Sequence, residues 1–281
     1  MIFIFASVAK GNDETVIAEG SPFNLFTLVL VAFSIYIGIW FLKSRRSDLP
    51  IRGYLDPAIT PVMAILLCGA MFLLGGLGAM LGSKLAVQDS IPNMAWMFSF
   101  AMIAQIPVVF AYALLRKRCG SRHVGTVAIT AFVVFVPMAL ATAGVLHGIL
   151  TLAGLESPTV LGHETLTDLA IGPWTASKWV IVVCATIGAG VFEEVLYRGL
   201  ILPTFVTLIG GKTAWYAIFV TSIFFAVMHA GAAPISAMVG LFVLSIGLCW
   251  ARVKSGGVIA PILIHVVFNT MNIAFVYSTT L

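Results

Sequence analysis

Glu193 and Glu194 stand side by side inside a long apolar stretch. An ionised carboxylate at membrane depth costs about 2.5–3.5 kcal/mol on insertion scales, so two together demand a purpose. Arg198 follows Glu194 at i+4, the spacing of an intrahelical ion pair. That leaves Glu193, about 100° further round the helix, with no such partner. The next apolar run holds Phe225 and His229 one turn apart, and the last holds His265 and Asn269 in the same relation. Carboxylates, imidazoles and an amide on neighbouring apolar helices are the groups that activate a water and receive a developing oxyanion. The earlier apolar runs contain nothing comparable. His147 sits near a helix end, and His123 and His163 fall in loops, so the sequence assigns these three no role.

The elements that must position these groups follow from composition. The chain has 281 residues, 60% hydrophobic and only 9% charged. A soluble domain carries about 25% charged residues. Mean hydropathy is +1.09. An intrinsically disordered chain, a small disulfide scaffold and a soluble nucleic-acid binder are all excluded. The expected fold is all-α: a polytopic transmembrane helix bundle of about eight helices, with the chemistry in the last four. The apolar runs are 23–42, 59–82, 92–115, 125–149, 178–200, 213–230, 234–251 and 258–277.

Charge placement sets the direction. Lys43, Arg45, Arg46, Arg52, Arg116, Lys117, Arg118, Arg122, Lys212, Arg252 and Lys254 fall on one face if the helices alternate. The other face receives Lys10, Lys84 and Lys178. The positive face is expected to be cytoplasmic, which puts both termini and the segment 151–177 outside. Cys68, Cys119, Cys184 and Cys249 are far apart and read as small apolar residues, with neither zinc-site nor redox spacing. The opening MIFIFASVAK is similar to a short signal h-region ending at Ser7-Val8-Ala9, but lacks a basic start. The reading favoured is an uncleaved acidic leader over 1–22.

The order E-E-x-x-x-R (Glu193, Glu194, Arg198), F-x-x-x-H (Phe225, His229) and H-x-x-x-N (His265, Asn269) resembles the CAAX-protease and bacteriocin-processing family of intramembrane endopeptidases. The intervening EEVLYRGLILP, SIFFAVMHAG and the Gly257, Ala260, Pro261 approach to His265 are similar too. The resemblance covers about 178–277 and divides the chain into 1–177, a leader with four helices, and 178–281, a protease-like core. Other intramembrane hydrolases fit less well. His163-Glu164 is not followed by a second histidine at the H-E-x-x-H spacing, no aspartate lies mid-span, and no G-x-S-G is present.

The resemblance implies an endopeptidase acting on a membrane-associated peptide or protein in the lipid bilayer, with no nucleic-acid partner. Glu193 is the expected general base because it lacks the arginine that Glu194 has, and His229 shares its water. His265 and Asn269 are the expected oxyanion donors, and Glu194, Arg198 and Phe225 support the geometry. No cofactor is expected; the alternative is zinc held by His229, His265 and Glu193, which makes the same residues a metalloprotease site. A proton-coupled transporter and a silent scaffold are the rival classes, the former weakened by the lack of an internal repeat. The expected location is a bacterial inner membrane, with a cavity opening toward the cytoplasm. The substrate, prenylated CAAX protein or bacteriocin-like peptide, and the oligomeric state stay open at this point.

Overall fold

The computed structural model describes residues 7–10, 15–18, 25–44, 49, 59–88, 90–116, 123–156, 163–210 and 213–280. Several basic residues used above, Arg45, Arg46, Arg52, Lys117, Arg118, Arg122 and Lys212, lie outside the described residues, as do Cys119 and the acidic Asp13, Glu14 and Glu19. The leader contributes two short antiparallel strands, β1 (Ser7–Lys10) and β2 (Thr15–Ala18). Helices make up the rest of the regular structure: α1 (Leu25–Lys43), α2 (Pro61–Gly82), α3 (Ile91–Leu115), α4 (Val124–Leu152) and α5 (Glu164–Ala170). The fifth span runs from Ala176 to Ile209 as α6 (Ala176–Val183), α7 (Ala189–Glu194) and α8 (Leu202–Ile209), joined by two π-helical segments. Then come α9 (Trp215–Val227), α10 (Ile235–Ser255) and α11 (Ile259–Thr280).

Local sequence explains the helix starts. Thr60 and Ser90 accept backbone N–H bonds from Met63 and Asn93, and Pro61 and Pro92 occupy first-turn positions where no N–H is needed. Thr175 caps α6 in the same way. Gly78 and Gly82, spaced as in G-x-x-x-G, let α2 approach the α3 backbone at Phe100 and Trp96 so closely that a Cβ would not fit.

Seven helices among the described residues are long and apolar enough to cross a membrane. The chain is therefore a multi-pass helical membrane protein. The sixth apolar run departs from the eight-span expectation: α9 has 13 residues, about 20 Å of helix, too short to cross alone. The outer faces stay apolar. Leu25, Tyr36, Leu66 and Leu114 are all more than two-thirds exposed, as lipid-facing residues are.

Packing fixes the ends of the bundle. Phe41 of α1 meets Phe135 of α4 and Trp250 of α10, with ring centroids 5.3 and 5.5 Å apart. Glu156, beyond the other end of α4, bonds Ser236 at the start of α10. Helices α4 and α10 are thus antiparallel, and Lys43, Arg252 and Lys254 gather at one end of the bundle. The segment carrying Glu156, His163 and α5 lies at the opposite end. There Leu166 and Leu169 are buried with Ala95, Ile181, Ile273 and Val276 in a second apolar cluster.

Candidate active site

The fifth span leaves regular α-helical winding on both sides of the two glutamates. Cys184–Gly188 and Val195–Ile201 are π-helical, with i→i+5 bonding that leaves carbonyls open to other donors. Side chains from other helices take one carbonyl in each segment. Asn269 Nδ2 of α11 donates to Ala185 O at 2.7 Å. Arg252 Nε of α10 donates to Arg198 O at 3.2 Å. Gly190 brings α7 against α11, since a Cβ there would lie 2.6 Å from Val266 Cγ2. Without that approach the glutamates would stand off from His265.

Glu194 and Glu193 point into different surroundings. Glu194 is fully buried, and its Oε1 accepts from Arg198 Nη1 at 2.8 Å and from His265 Nδ1 at 2.7 Å. The intrahelical pair expected from the i+4 spacing is present. Arg198 is also fully buried, donates from Nη2 to Ser245 Oγ at 2.8 Å and stacks over the Phe225 ring at 4.6 Å. Phe225, itself buried, lies edge-on to Tyr197 and 4.8 Å from the His229 ring. Phe225, Glu194 and Arg198 thus form a buried brace beneath His265.

Glu193 faces a cavity. Its side chain retains 30% of its exposure, and its Oε2 finds no hydrogen-bond partner in the protein while lying 4.0 Å from His265 Nε2. The cavity measures about 210 Å³, and Glu193, His229 and Asn269 all line it. His265 is not among its walls; it sits behind Glu193 with its own Nε2 unpartnered. The grouping of Glu193, His229, His265 and Asn269 read from the sequence is therefore present, with His265 set deeper than the other three.

Hydrogen bonding fixes each imidazole. Glu194 is an acceptor, so His265 carries its proton on Nδ1 and leaves Nε2 as an acceptor when neutral. The His229 Nδ1 donates to Phe225 O at 2.8 Å, again leaving Nε2 as the acceptor. The histidine missed by the sequence reading has the opposite tautomer. His163 lines the same cavity, with its ring centroid 6.3 Å from that of His229. Its Nδ1 accepts the Thr165 N–H at 3.1 Å as the N-cap of α5, so its proton sits on Nε2. Burial pushes the His163 pKa down to about 3, and it stays neutral.

Buried polar bonds hold Glu156 on one side of His163 and the end of α5 on the other. Glu156 Oε1 accepts the Ser236 N–H at 2.9 Å, and its Oε2 accepts from Ser236 Oγ at 2.6 Å and from His147 Nδ1 at 2.9 Å. At the far end the buried Lys178 ammonium donates to the carbonyls of Leu169, Ile171 and Gly172. His147, left without a role by the sequence, is a buried member of this network. The signal was available: Leu166, Leu169 and Trp174 are out of place in a solvated loop.

One expectation changes with this geometry. A cavity opening on the basic, cytoplasmic side was expected; its walls instead include His163, Thr165 and Leu166 at the end away from Lys43, Arg252 and Lys254. The expected outer side of 151–177 corresponds to this same end, where His163, Thr165 and Leu166 line the cavity. Among the described residues no group of three His, Cys, Asp or Glu side chains converges as a metal site. His265 Nε2 is bare, and its Nδ1 bond to Glu194 is of the kind that also orients a ligating imidazole.

Comparison with known proteins coincides with this region. Residues 175–271 match the family described as type II CAAX prenyl endopeptidase Rce1-like. An uncharacterized 24.3 kDa protein of Escherichia coli is 30% identical over 83 residues, 30% of this chain and 38% of that protein. No solved structure matches. The matched stretch contains both π-helical segments, the glutamate pair, Phe225, His229, His265 and Asn269, so over residues 175–271 the chain is similar to the type II CAAX prenyl endopeptidase Rce1-like family.

Proposed function

We propose that the protein is an intramembrane endopeptidase that hydrolyses a peptide bond with a water activated by Glu193. The observation that carries this reading is the pair of buried, unpartnered acceptors, Glu193 Oε2 and His265 Nε2, 4.0 Å apart beside the cavity that Glu193 lines. Two acceptors at that separation suit a bridging water that gives one hydrogen to each. Glu193 removes a proton as the water oxygen attacks the carbonyl carbon. The carbonyl π electrons move to oxygen, and the tetrahedral intermediate collapses with breakage of the C–N bond. The proton held by Glu193 passes to the leaving amine, so the carboxylate is regenerated. His229 Nε2, on the cavity wall, orients the substrate or water from the other side. Asn269 has one N–H beyond the bond to Ala185 O and offers it to the oxyanion.

The family match over residues 175–271 supports the reaction class, and the bilayer setting supports a membrane-associated substrate. The location proposed is a bacterial inner membrane with the basic end of the bundle cytoplasmic. Terminomics of native membranes from wild type and Glu193→Gln identifies the substrate. Peptides from those proteins, given to the purified chain, are cleaved by wild type and not by Glu193→Gln or His229→Ala. Normal cleavage by folded Glu193→Gln overturns the assignment.

A further inference from the structure

We infer that His163, at the start of α5, belongs to the site and donates its Nε2–H to a substrate carbonyl oxygen in the cavity. The inference rests on the endopeptidase reading and extends it to a residue outside the matched region 175–271. The first argument is an inventory of what the cavity offers. Glu193 presents a carboxylate, His229 presents a bare Nε2, and Asn269 has Oδ1 unpartnered and one N–H spent on Ala185 O. A peptide carbonyl entering this space meets mostly acceptors, with the second Asn269 N–H the one donor among these groups. A further donor is needed as negative charge develops on the oxygen.

His163 supplies a donor of fixed kind. The Thr165 N–H occupies Nδ1 at 3.1 Å, which forces the proton onto Nε2. The ring lines the same cavity as Glu193 and meets His229 nearly edge to face, at 74° between planes. Its burial keeps the imidazole neutral, so it donates without carrying charge next to the glutamate.

The second argument is rigidity. A donor is useful only if it is held before the substrate arrives, and His163 sits on a clamped segment. Lys178 gathers three carbonyls at the end of α5, and Leu166 and Leu169 of α5 are buried. A segment serving only to connect two spans requires none of this.

The test uses the full chain in lipid nanodiscs and a peptide substrate identified by comparing wild type with Glu193→Gln. His163→Ser keeps an oxygen to cap α5 but cannot reach the cavity. His163→Phe keeps the ring volume and loses both cap and donor. His163→Gln places an amide N–H near the position of Nε2. The expected result is a loss of about 10²-fold in kcat/KM for Ser and Phe and substantial recovery for Gln. The unfolding temperature of the Ser variant stays at the wild-type value, and the limbs of the pH–rate profile do not move because His163 does not titrate there. Wild-type rates in the Ser variant overturn the inference. So does a loss confined to Phe that follows its unfolding temperature, or a displaced acid limb. If wild type cleaves nothing that Glu193→Gln spares, the endopeptidase reading itself fails, and this inference falls with it.

Discussion

Exchanging each glutamate for glutamine separates the two roles assigned to this adjacent pair. Glu194 and Arg198 are both fully buried, and Arg198 Nη1 lies 2.8 Å from Glu194 Oε1. Glu194→Gln keeps the shape but leaves the guanidinium charge buried without its carboxylate. Removing one partner of a buried pair costs about 3–5 kcal/mol. For a domain of this size each kcal/mol corresponds to roughly 2–4 °C, so the midpoint should fall by ~6–20 °C. Glu193 Oε2 makes no hydrogen bond and the side chain is partly exposed, so Glu193→Gln should change stability by no more than ~0.5 kcal/mol. Activity runs the other way. Loss of a general base costs about 10²–10⁴-fold, so Glu193→Gln is folded and inactive. Glu194→Gln, assayed below its lowered midpoint, keeps more activity, because an amide oxygen can still accept the His265 Nδ1–H. The double variant Glu194→Gln/Arg198→Met removes both charges and should recover most of the lost stability, since neutral replacement of a whole buried pair is often tolerated. Thermal unfolding in nanodiscs beside peptide cleavage gives both readouts. The reasoning is refuted if Glu194→Gln unfolds with wild-type stability, or if Glu193→Gln is the destabilised and active one of the two.

Rigorous chelation should leave cleavage unchanged, because the site is read as metal-free; loss of activity that zinc restores would reverse this, and metal analysis of the purified protein gives an independent check. Asn269→Ala removes both the Ala185 carbonyl partner and a cavity N–H, and should lower kcat by about 10²–10³-fold with a stability loss of about 1–3 kcal/mol. A stability loss with wild-type kcat would leave Asn269 only the role of holding the π-helical segment. The Glu156 carboxyl is held below the ordinary value of 4.5: burial opposes ionisation, and hydrogen bonds from Ser236 and His147 outweigh it. A lowered pKa in the folded state means a contribution that is complete above about pH 4.5 and lost as pH falls through the folded value. The stability difference between wild type and Glu156→Ala should therefore be constant from pH 5.5 to 7 and shrink below pH 4.5, as measured by unfolding across that range. A difference that grows on acidification contradicts the assignment.

Much of the site was legible because membrane burial makes polar residues conspicuous. Glu193, Glu194, Arg198, His229, His265 and Asn269 stand out against apolar helices, and three of the spacings place partners one turn apart. Phe225 and His229 do share a face, and His265 and Asn269 both meet the fifth span, at Glu194 and at Ala185. Less legible was anything that depends on how a connection folds back. His163 carries no positional signature because its role comes from capping α5, and α5 is visible only in a few apolar residues between two long spans. The length of α9 was hidden for a related reason. The apolar run 213–230 is long enough to suggest a span, while the helix itself stops at Val227 and the chain turns at His229 before α10 begins.

The adjacency of the glutamates has a structural reason beyond composition. Neighbouring residues on a helix point about 100° apart, so one carboxylate can face the protein while the next faces a cavity. Glu194 spends its charge on Arg198 and His265, and this brace sets which nitrogen of His265 is bare. Glu193 then meets that bare nitrogen across 4.0 Å, with no arginine to neutralise it. The π-helical segments keep the two environments apart by opening the fifth span to Asn269 on one side and Arg252 on the other. A regular α-helix through 184–201 would return those carbonyls to their own helix and leave Asn269 and Arg252 unsatisfied in the bundle. The irregular winding is thus tied to the same side chains that line or support the site, and restoring the regular helix is expected to dismantle the site along with it.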